Sequence, residues 1–201
     1  MAFLLAVQAG SAFGVYSGGT GEPGDPYQIA TKADLLALAA NTADYGKCFI
    51  LTANVNMQGQ VFTKAIIAPS SSNPFQGTAF TGTFDGNGHK ITGFIINGGS
   101  NLYLGLFGQI NPGGSVKNLG LENFVVVSGN QYVGGLVGYN NGGSISNCYS
   151  TGEVNGSSYV GGLVGYNNIG SISSSYSTGE VNGSSYVGGL VGYNSGNSIS
   201  N

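Results

Sequence analysis

Short apolar segments separated by polar, glycine-rich corners run through the second half of the chain. Apolar segments cover residues 133–139 and 145–149 and recur at Val154, while Gly, Asn and Ser dominate the stretches between them. Three short strands with corners between them are typical of one turn of a parallel β-solenoid. The pattern therefore predicts an all-β protein, with three short strands in each turn.

The pattern returns after 27 residues almost letter for letter. Residues 132–158 and 159–185 differ at three positions, Gly142/Ile169, Asn147/Ser174 and Cys148/Ser175, and a third, incomplete copy starts at Tyr186. A fixed period of this length predicts that each unit is one layer of a stack. Equivalent residues should then lie above one another at roughly the 4.8 Å spacing of neighbouring strands.

The stack predicts columns of like side chains. Apolar columns should fill the interior, and polar columns such as Asn140, Asn167 and Asn194 are expected to face solvent or to lie at corners. Val133 and Leu136 cannot both point inward along a straight strand, because three residues separate them. A corner or bulge at Gly134-Gly135 would reconcile the two.

The chain divides into four predicted segments: residues 1–14, 15–46, 47–131 and 132–201. The last holds the regular repeats, of which the final one is incomplete, and residues 47–131 are read as irregular turns of the same solenoid. In residues 15–46, Thr31 lies where a helix N-cap belongs and Asp34 follows three residues later, which predicts one short helix. A solenoid needs a cap over its exposed backbone, so this helix is interpreted as the N-terminal cap.

The first segment is interpreted as the remainder of a signal peptide. Residues 2–7 are apolar, and small residues follow at Gly10-Ser11-Ala12 and Ala12-Phe13-Gly14, either of which suits cleavage. The alternative is an ordinary first strand, because no basic residue precedes the apolar run. No stretch approaches the roughly 18 apolar residues of a transmembrane helix, so no membrane insertion is predicted.

Four copies of one short motif carry a family resemblance. Gly135-Leu136-Val137-Gly138 and its equivalents at residues 162–165 and 189–192 resemble the GLUG motif, and residues 105–108 are a fourth match. That family occurs in large exported bacterial proteins, including haemagglutinin-like adhesins and some immunoglobulin A-cleaving metallopeptidases. The resemblance implies a right-handed parallel β-helix. It does not extend to protease activity, because the sequence lacks a His-Glu-x-x-His motif.

Composition narrows the function classes. The chain has 38 glycines, five lysines, no arginine and a formal charge of −3. Nucleic acid and anionic membranes require clustered positive charge, so neither is an expected partner, and a secreted or cell-surface location fits better. Cys48 and Cys148 are interpreted as structural, because Ser175 replaces Cys148 in the next unit.

Two polar groups are candidate sites, each with a structural alternative. Glu153 and Glu180 could share Ca²⁺ with Asn155 and Asn182, but hard-cation sites usually gather more carboxylates, and a repeated surface decoration is the preferred interpretation. Residues 85–89, Asp-Gly-Asn-Gly-His, could form a metal or acid–base site around the only histidine, yet a tight turn accounts for all but the histidine. No catalytic, cofactor-binding or metal-binding residue is therefore predicted.

Two columns could bind a ligand if they face outward. The Ser-x-Ser pairs (Ser144/Ser146, Ser171/Ser173 and Ser198/Ser200) could form a flat hydroxyl face, with a solvated strand face as the alternative. The tyrosine columns could form a carbohydrate-stacking stripe, although stacked tyrosines more often bury the ring and leave the hydroxyl wet.

Three functions remain open from the sequence. The preferred hypothesis is a non-enzymatic exported β-solenoid of the cell surface, which acts as an adhesin-like structural or binding module with a glycan or protein ligand. The alternative is a filament or matrix subunit that self-associates through open solenoid ends. A carbohydrate-active enzyme is the third, and it would require an acidic cleft formed by the irregular stretch at residues 63–81.

Overall fold

The structure is a computed structural model that describes residues 14–196 and 198–200. All but the last residue of the predicted signal-peptide remainder at 1–14 lies outside this range, as does Asn201. Within it, four parallel sheets surround one apolar core. The predicted all-β parallel solenoid is confirmed, and its right-handed sense remains a prediction that agrees with the general preference of parallel crossovers.

Each sheet runs along the stack and takes one short strand from successive turns. Sheet 1 contains Tyr27–Ile29, Cys48–Leu51, Thr83–Asp85, Ser115–Lys117, Ser144–Ser146, Ser171–Ser173 and Ile199–Ser200. Sheet 2 contains Val55–Asn56, Lys90–Thr92, Gly120–Glu122, Tyr149–Ser150 and Tyr176–Ser177. Sheet 3 contains Val61–Phe62, Ile95–Asn97, Val125–Gly134, Glu153–Gly161, Val181–Asn182 and Ser185–Gly188. Sheet 4 contains Phe107–Ile110, Val137–Asn141, Val164–Asn168 and Val191–Ser195.

A regular unit has four strands, and the predicted number of three is wrong. The apolar segment at residues 145–149 is split between sheets 1 and 2, because Asn147 takes a left-handed conformation (φ 52°) that turns the chain between them. Asparagine tolerates this conformation better than most residues. A polarity pattern alone does not reveal such a turn inside an apolar segment.

The corner predicted at Gly134-Gly135 is present. A strand of sheet 3 ends at Gly134 and a strand of sheet 4 begins at Val137. Val133 and Leu136 are both fully buried as a result, one on each side of the corner. The 27-residue register also holds, since Val137 pairs with Val164 and Val164 with Val191.

Of the two positions expected for the Asn140 column, solvent or a corner, the structure has the corner. Asn140 and Asn167 are fully buried at the corner between sheets 4 and 1. Asn140 Nδ2 donates to Asn167 Oδ1 at 2.8 Å, and Asn167 Nδ2 donates to Asn194 Oδ1 at 2.7 Å. Each side chain also binds the corner backbone, through Gly143 and Gly170. Burial is tolerated because the amides satisfy one another and the corner.

The predicted helix is present at Lys32–Ala40, followed by a 3-10 turn at Thr42–Asp44. Thr31 is its N-cap and forms the capping box with Asp34. The helix lies between the first two strands of sheet 1 in the chain and contributes Leu35 and Leu38 to the core. Its role as the N-terminal cap of the stack stays a prediction.

Asp34 joins the helix to the chain that precedes it. Its Oδ2 accepts hydrogen bonds from Ser17 Oγ, Thr31 Oγ1 and the backbone amides of Ala30 and Thr31, at 2.8–3.0 Å. Burial by itself would raise the pKa of Asp34, but these hydrogen bonds to the ionised form outweigh it and lower the pKa. The charged carboxylate therefore stabilises the start of the helix and its attachment to the preceding chain.

Asp34→Asn should destabilise the protein by about 2 kcal/mol at pH 7, the upper range for loss of an N-terminal cap interaction. A lowered pKa contributes stability that is present above the unfolded value of about 4 and is lost as pH falls through the folded pKa. Urea unfolding at pH 7 and pH 3 should thus show a difference between wild type and variant that shrinks at pH 3. Asp25→Asn, at an exposed carboxylate, is the control, and an equal loss there would contradict the prediction.

The interpretation of Cys148 as structural is supported, and that of Cys48 stays a prediction. Neither forms a disulfide, and Cys148 is buried with its thiol directed at the carbonyl oxygen of Ser146 at 3.2 Å. Ser175 makes the equivalent hydrogen bond to Ser173 at 2.7 Å, which explains why this position accepts either residue. Burial raises the pKa of Cys148 to about 11, so its thiol is un-ionised at neutral pH and unreactive.

Candidate functional site

Two columns of tyrosines run side by side along the outer surface of sheets 3 and 4, and we call them the tyrosine ridge. The first column stacks with ring centroids 4.8–5.2 Å apart and the second with centroids 5.0 Å apart. Rings of the two columns meet edge to face at 5.2–5.3 Å in each regular turn. The first column is Tyr103, Tyr132, Tyr159 and Tyr186, and the second is Tyr139, Tyr166 and Tyr193.

Every tyrosine of the first column has a left-handed backbone. Their φ angles lie between 53° and 62° in four successive turns. A non-glycine residue held in this region costs about 1–3 kcal/mol, and such strain persists only where the surrounding packing fixes it. Strain of this kind clusters at binding sites, which makes the ridge the strongest candidate for a functional surface.

The rings cover one another more than they face solvent. Tyr132, Tyr139, Tyr159 and Tyr166 are half-buried, and since ring faces stack within a column, the solvent contact falls on ring edges and hydroxyls. Burial raises the pKa of Tyr103 to about 12, with smaller contributions from the neighbouring phenols. The phenol of Tyr103 is therefore un-ionised at neutral pH.

A row of amide side chains borders the ridge. Gln109 Nε2 and Asn141 Nδ2 both donate to Asn111 Oδ1, at 2.7 and 3.2 Å. Asn168 Nδ2 donates to Asn141 Oδ1 at 2.9 Å and continues the row into the next turn. These amides follow the strands of sheet 4, where Asn141 and Asn168 are paired in register.

The irregular stretch at residues 63–81 closes against one end of the ridge and forms a cleft of about 300 Å³. Ile67 and Phe80 pair with the first strand of sheet 4 and hold the stretch there. Phe75 meets Tyr103 edge to face at 5.2 Å, and Tyr103 OH donates to Asn73 Oδ1 at 3.2 Å. The lining consists of Asn73, Pro74, Phe75, Tyr103, Gln109, Tyr132, Tyr139 and Asn141.

Hydrogen bonds link the four side chains that were considered as calcium ligands. Asn155 Nδ2 donates to Glu153 Oε1 at 2.5 Å, and Asn182 Nδ2 donates to Glu180 Oε1 and to Asn155 Oδ1, both at 2.9 Å. The amides therefore direct N–H groups at the carboxylates. No cluster of three or more His, Cys, Asp or Glu side chains occurs in the described residues.

Residues 85–89 form the predicted tight turn. Asn87 and Gly88 have positive φ angles, and the Asn87 amide donates to Asp85 Oδ1 at 2.8 Å. Lys117 lies 3.3 Å from Asp85, whose pKa is lowered because hydrogen bonds from Asn118, Asn87 and Lys117 outweigh the effect of burial. The carboxylate is thereby engaged in the turn and with the next strand of sheet 1.

The Ser-x-Ser columns lie in register on sheet 1, as the repeat predicts. Ser144 pairs with Ser171 and Ser146 with Ser173, and their side chains range from half-buried to exposed. Toward the N-terminus Lys117 takes the position of Ser146, so the hydroxyl face is short. It matches the solvated strand face that the sequence analysis kept as the alternative.

The sequence raised a cleft at residues 63–81 only as an acidic one, and its uncharged lining was not predicted. The nearest signal is Phe75, an isolated aromatic residue within the otherwise polar stretch Pro-Ser-Ser-Ser-Asn-Pro-Phe at residues 69–75. An aromatic side chain in such a stretch indicates a loop that packs back onto the body of the protein.

Comparison with known proteins agrees with the repeat motif. Residues 129–155 and 156–182 match the family described as "The GLUG motif". Halomucin of Haloquadratum walsbyi is 32% identical over 149 residues, which cover 72% of this chain and 2% of that protein. The "Putative Gly-rich membrane protein" of Evansella cellulosilytica is 35% identical over 141 residues, which cover 66% of this chain and 15% of that protein. The chain therefore spans a small part of either relative.

One solved structure shares the fold. The crystal structure of a "putative immunoglobulin A1 protease" from Bacteroides ovatus superposes with a TM-score of 0.70 at 24% identity, over 92% of this chain and 66% of that one. Identity at this level supports the fold alone. Within the described residues, no helix is long and apolar enough to cross a membrane.

Proposed function

We propose that this GLUG-repeat protein is a non-enzymatic, exported module of the cell surface that binds ligands through the tyrosine ridge in the manner of an adhesin. The ridge carries the proposal, because four successive turns keep a tyrosine in a strained backbone conformation, and in the three regular turns these tyrosines reach the outer surface of the solenoid. Tyrosine offers a large contact area at low cost in conformational entropy and is enriched at binding hot spots. A stack of identical turns repeats that contact along its length.

The relatives support a surface location. One is named a mucin and the other a membrane protein. A chain with few charges and one protected core suits an extracellular scaffold, and the four sheets give a rigid platform for the ridge.

The enzymatic alternative has weak support at the cleft. The stretch at residues 63–81 does form a cleft, but its lining contains no carboxylate. Glycoside hydrolysis generally requires two carboxylates across the scissile bond. Self-association through solenoid ends stays a prediction from the sequence.

The ridge can be tested with beads that carry the purified chain, washed over immobilised cellulose, mannan, an acidic polysaccharide and a mucin glycoprotein. We expect wild-type beads to be retained on at least one surface and the double variant Tyr132→Asn/Tyr159→Asn to reduce retention about tenfold, a change typical of losing a hot-spot aromatic. Asparagine tolerates the left-handed backbone at both positions, so the variant should keep the fold, which circular dichroism would verify.

Ser144→Asn/Ser171→Asn places the same new side chains on sheet 1 and is the matched control. Equal retention of ridge variant and wild type, or no retention of wild type on any surface, would overturn the adhesive function. Release of soluble oligosaccharides from the polysaccharides would overturn its non-enzymatic character.

A further inference from the structure

We infer that the cleft between residues 73–75 and the first turns of the ridge is a binding site for a neutral saccharide of one or two sugar rings. The inference rests on the proposed function and deepens it, since it gives the ridge one defined end at which recognition begins. It rests on four features of the cleft: the absence of charge, the size, the pairing of aromatic and amide groups, and the rigidity of the walls.

The lining of the cleft carries no charged side chain. The ion pairs of the described residues lie elsewhere, on or near sheets 1 and 2: Lys47–Glu22, Lys90–Glu122 and Lys117–Asp85. A phosphate, a sulfated sugar or a cationic ligand would gain no opposite charge in the cleft and would lose hydration. A neutral polar ligand loses the least hydration free energy on entering the cleft.

The size and the chemistry of the walls suit a sugar. Ligand-binding pockets have volumes from about 300 Å³ upward, so a cleft of this volume has room for a small ligand. Phe75 supplies aromatic surface for the C–H groups of a sugar ring. Tyr132, whose two ring faces are covered by Tyr103 and Tyr159, contributes its ring edge and its hydroxyl. Asn73 and Asn141 supply amides that keep donor and acceptor capacity for sugar hydroxyls beyond the hydrogen bonds they already make.

The walls are held in place before a ligand arrives. Gln109 is 7% exposed, and its amide is fixed by Asn111 at 2.7 Å. Tyr103 is fixed by Phe75, by Asn73 and by the stacked ring of Tyr132 at 4.9 Å. Prior order of this kind reduces the entropy lost on binding.

The ridge extends beyond the site. Each further turn adds one tyrosine of each column at a centroid spacing of about 5 Å. A saccharide of one or two rings would fill the cleft and leave these further tyrosines uncovered.

The repeat supplies matched controls for the test. Asn141 lines the cleft, whereas Asn168 is its equivalent one turn away and lies outside the lining. We would titrate the ¹⁵N-labelled full chain with cello-, manno- and chito-oligosaccharides and with a sulfated oligosaccharide, and follow the amide resonances. The expected result is a set of shifts confined to residues around Phe75, Tyr103 and Tyr132 with at least one neutral oligosaccharide.

Phe75→Ala and Asn141→Ala should each weaken binding about tenfold, whereas Asn168→Ala should leave the affinity within about twofold of wild type. Tyr132→Phe and Tyr159→Phe provide a second pair that keeps the ring packing, and only Tyr132→Phe should weaken binding.

Three results would each overturn the cleft assignment: absence of shifts with every neutral oligosaccharide, shifts spread evenly along the ridge, or tighter binding of the sulfated sugar. If the beads are retained but the titration shows no binding at the cleft, the saccharide site is refuted and the adhesive ridge is not. If the titration shows binding at the cleft but the beads are not retained, the adhesive ridge alone is refuted.

Discussion

Replacing Gly165 with alanine is expected to destabilise the solenoid by about 3 kcal/mol, the upper range for overpacking a close-packed interior. Gly165 is the second glycine of the motif Gly162-Leu163-Val164-Gly165. A Cβ there would lie 2.6 Å from the Val133 nitrogen and 2.7 Å from the carbonyl oxygens of Gly138 and Tyr159. These are backbone atoms of the same and the adjoining turn, so they cannot move aside as a flexible side chain would.

The loss should appear as a lower urea midpoint by circular dichroism and a lower soluble yield of Gly165→Ala. Gly24→Ala is the control, because a Cβ at Gly24 has no atom within 4 Å. If both variants unfold at the wild-type midpoint, adjacent turns are not packed as closely as the structure shows. The same contact gives the motif its physical meaning: the glycine lets the backbone of one turn approach the next.

The register of the solenoid could be predicted from sequence because the repeat is almost identical. When Tyr139 recurs as Tyr166 and Val137 as Val164, only a shift of one whole unit aligns every column, and the structure has that pairing. The corner at Gly134-Gly135 was also predictable, since Val133 and Leu136 are both apolar and cannot point inward along one strand. The capping box at Thr31 and Asp34 depends on local spacing alone and was equally accessible.

The burial of Asn140 could not be predicted from the regular units. Asn140 and Asn141 are adjacent and chemically identical, so polarity does not reveal which one faces the core. The useful signal lies one turn earlier, where Ile110 occupies the position of Asn140 in register. That signal becomes readable only when the less regular turn is aligned through the strand Phe107–Ile110.

The lining of the cleft and its position beside the ridge were inaccessible for a different reason. Residues 63–81 have no counterpart in the regular units, so periodicity says nothing about where they pack. The left-handed tyrosines were also hidden, because bulky residues rarely adopt positive φ angles and no sequence pattern marks the exception. The candidate site thus lies where the repeat meets an irregular stretch, which sequence periodicity describes least well.

Substituting Asn167 with alanine is expected to cost about 3 kcal/mol, because it removes two buried hydrogen bonds and a part-buried one and leaves a small cavity. Asn167 accepts from Asn140 Nδ2 and donates to Gly170 O and to Asn194 Oδ1, at 2.7–2.8 Å. After the substitution the Gly170 carbonyl oxygen loses this donor inside the protein, and Asn140 keeps only its bonds to the corner backbone. The urea midpoint of Asn167→Ala should fall well below that of Asn168→Ala, whose side chain is half-buried and makes one hydrogen bond along the outer row.

The double variant Asn140→Ile/Asn167→Ile separates the contribution of the hydrogen bonds to stability from the contribution of side-chain volume. Ile110 already fills this position in the preceding turn, so a continuous apolar column fits the core. Asn167→Ile alone strands the amide of Asn140, whereas the double variant removes both partners, and replacing both is far less costly than orphaning one. We therefore expect the double variant to be more stable than Asn167→Ile. In a double-mutant cycle the two substitutions should show a coupling free energy of about 1 kcal/mol or more. Strictly additive effects of the two substitutions would show that the buried asparagines act independently and do not form a ladder.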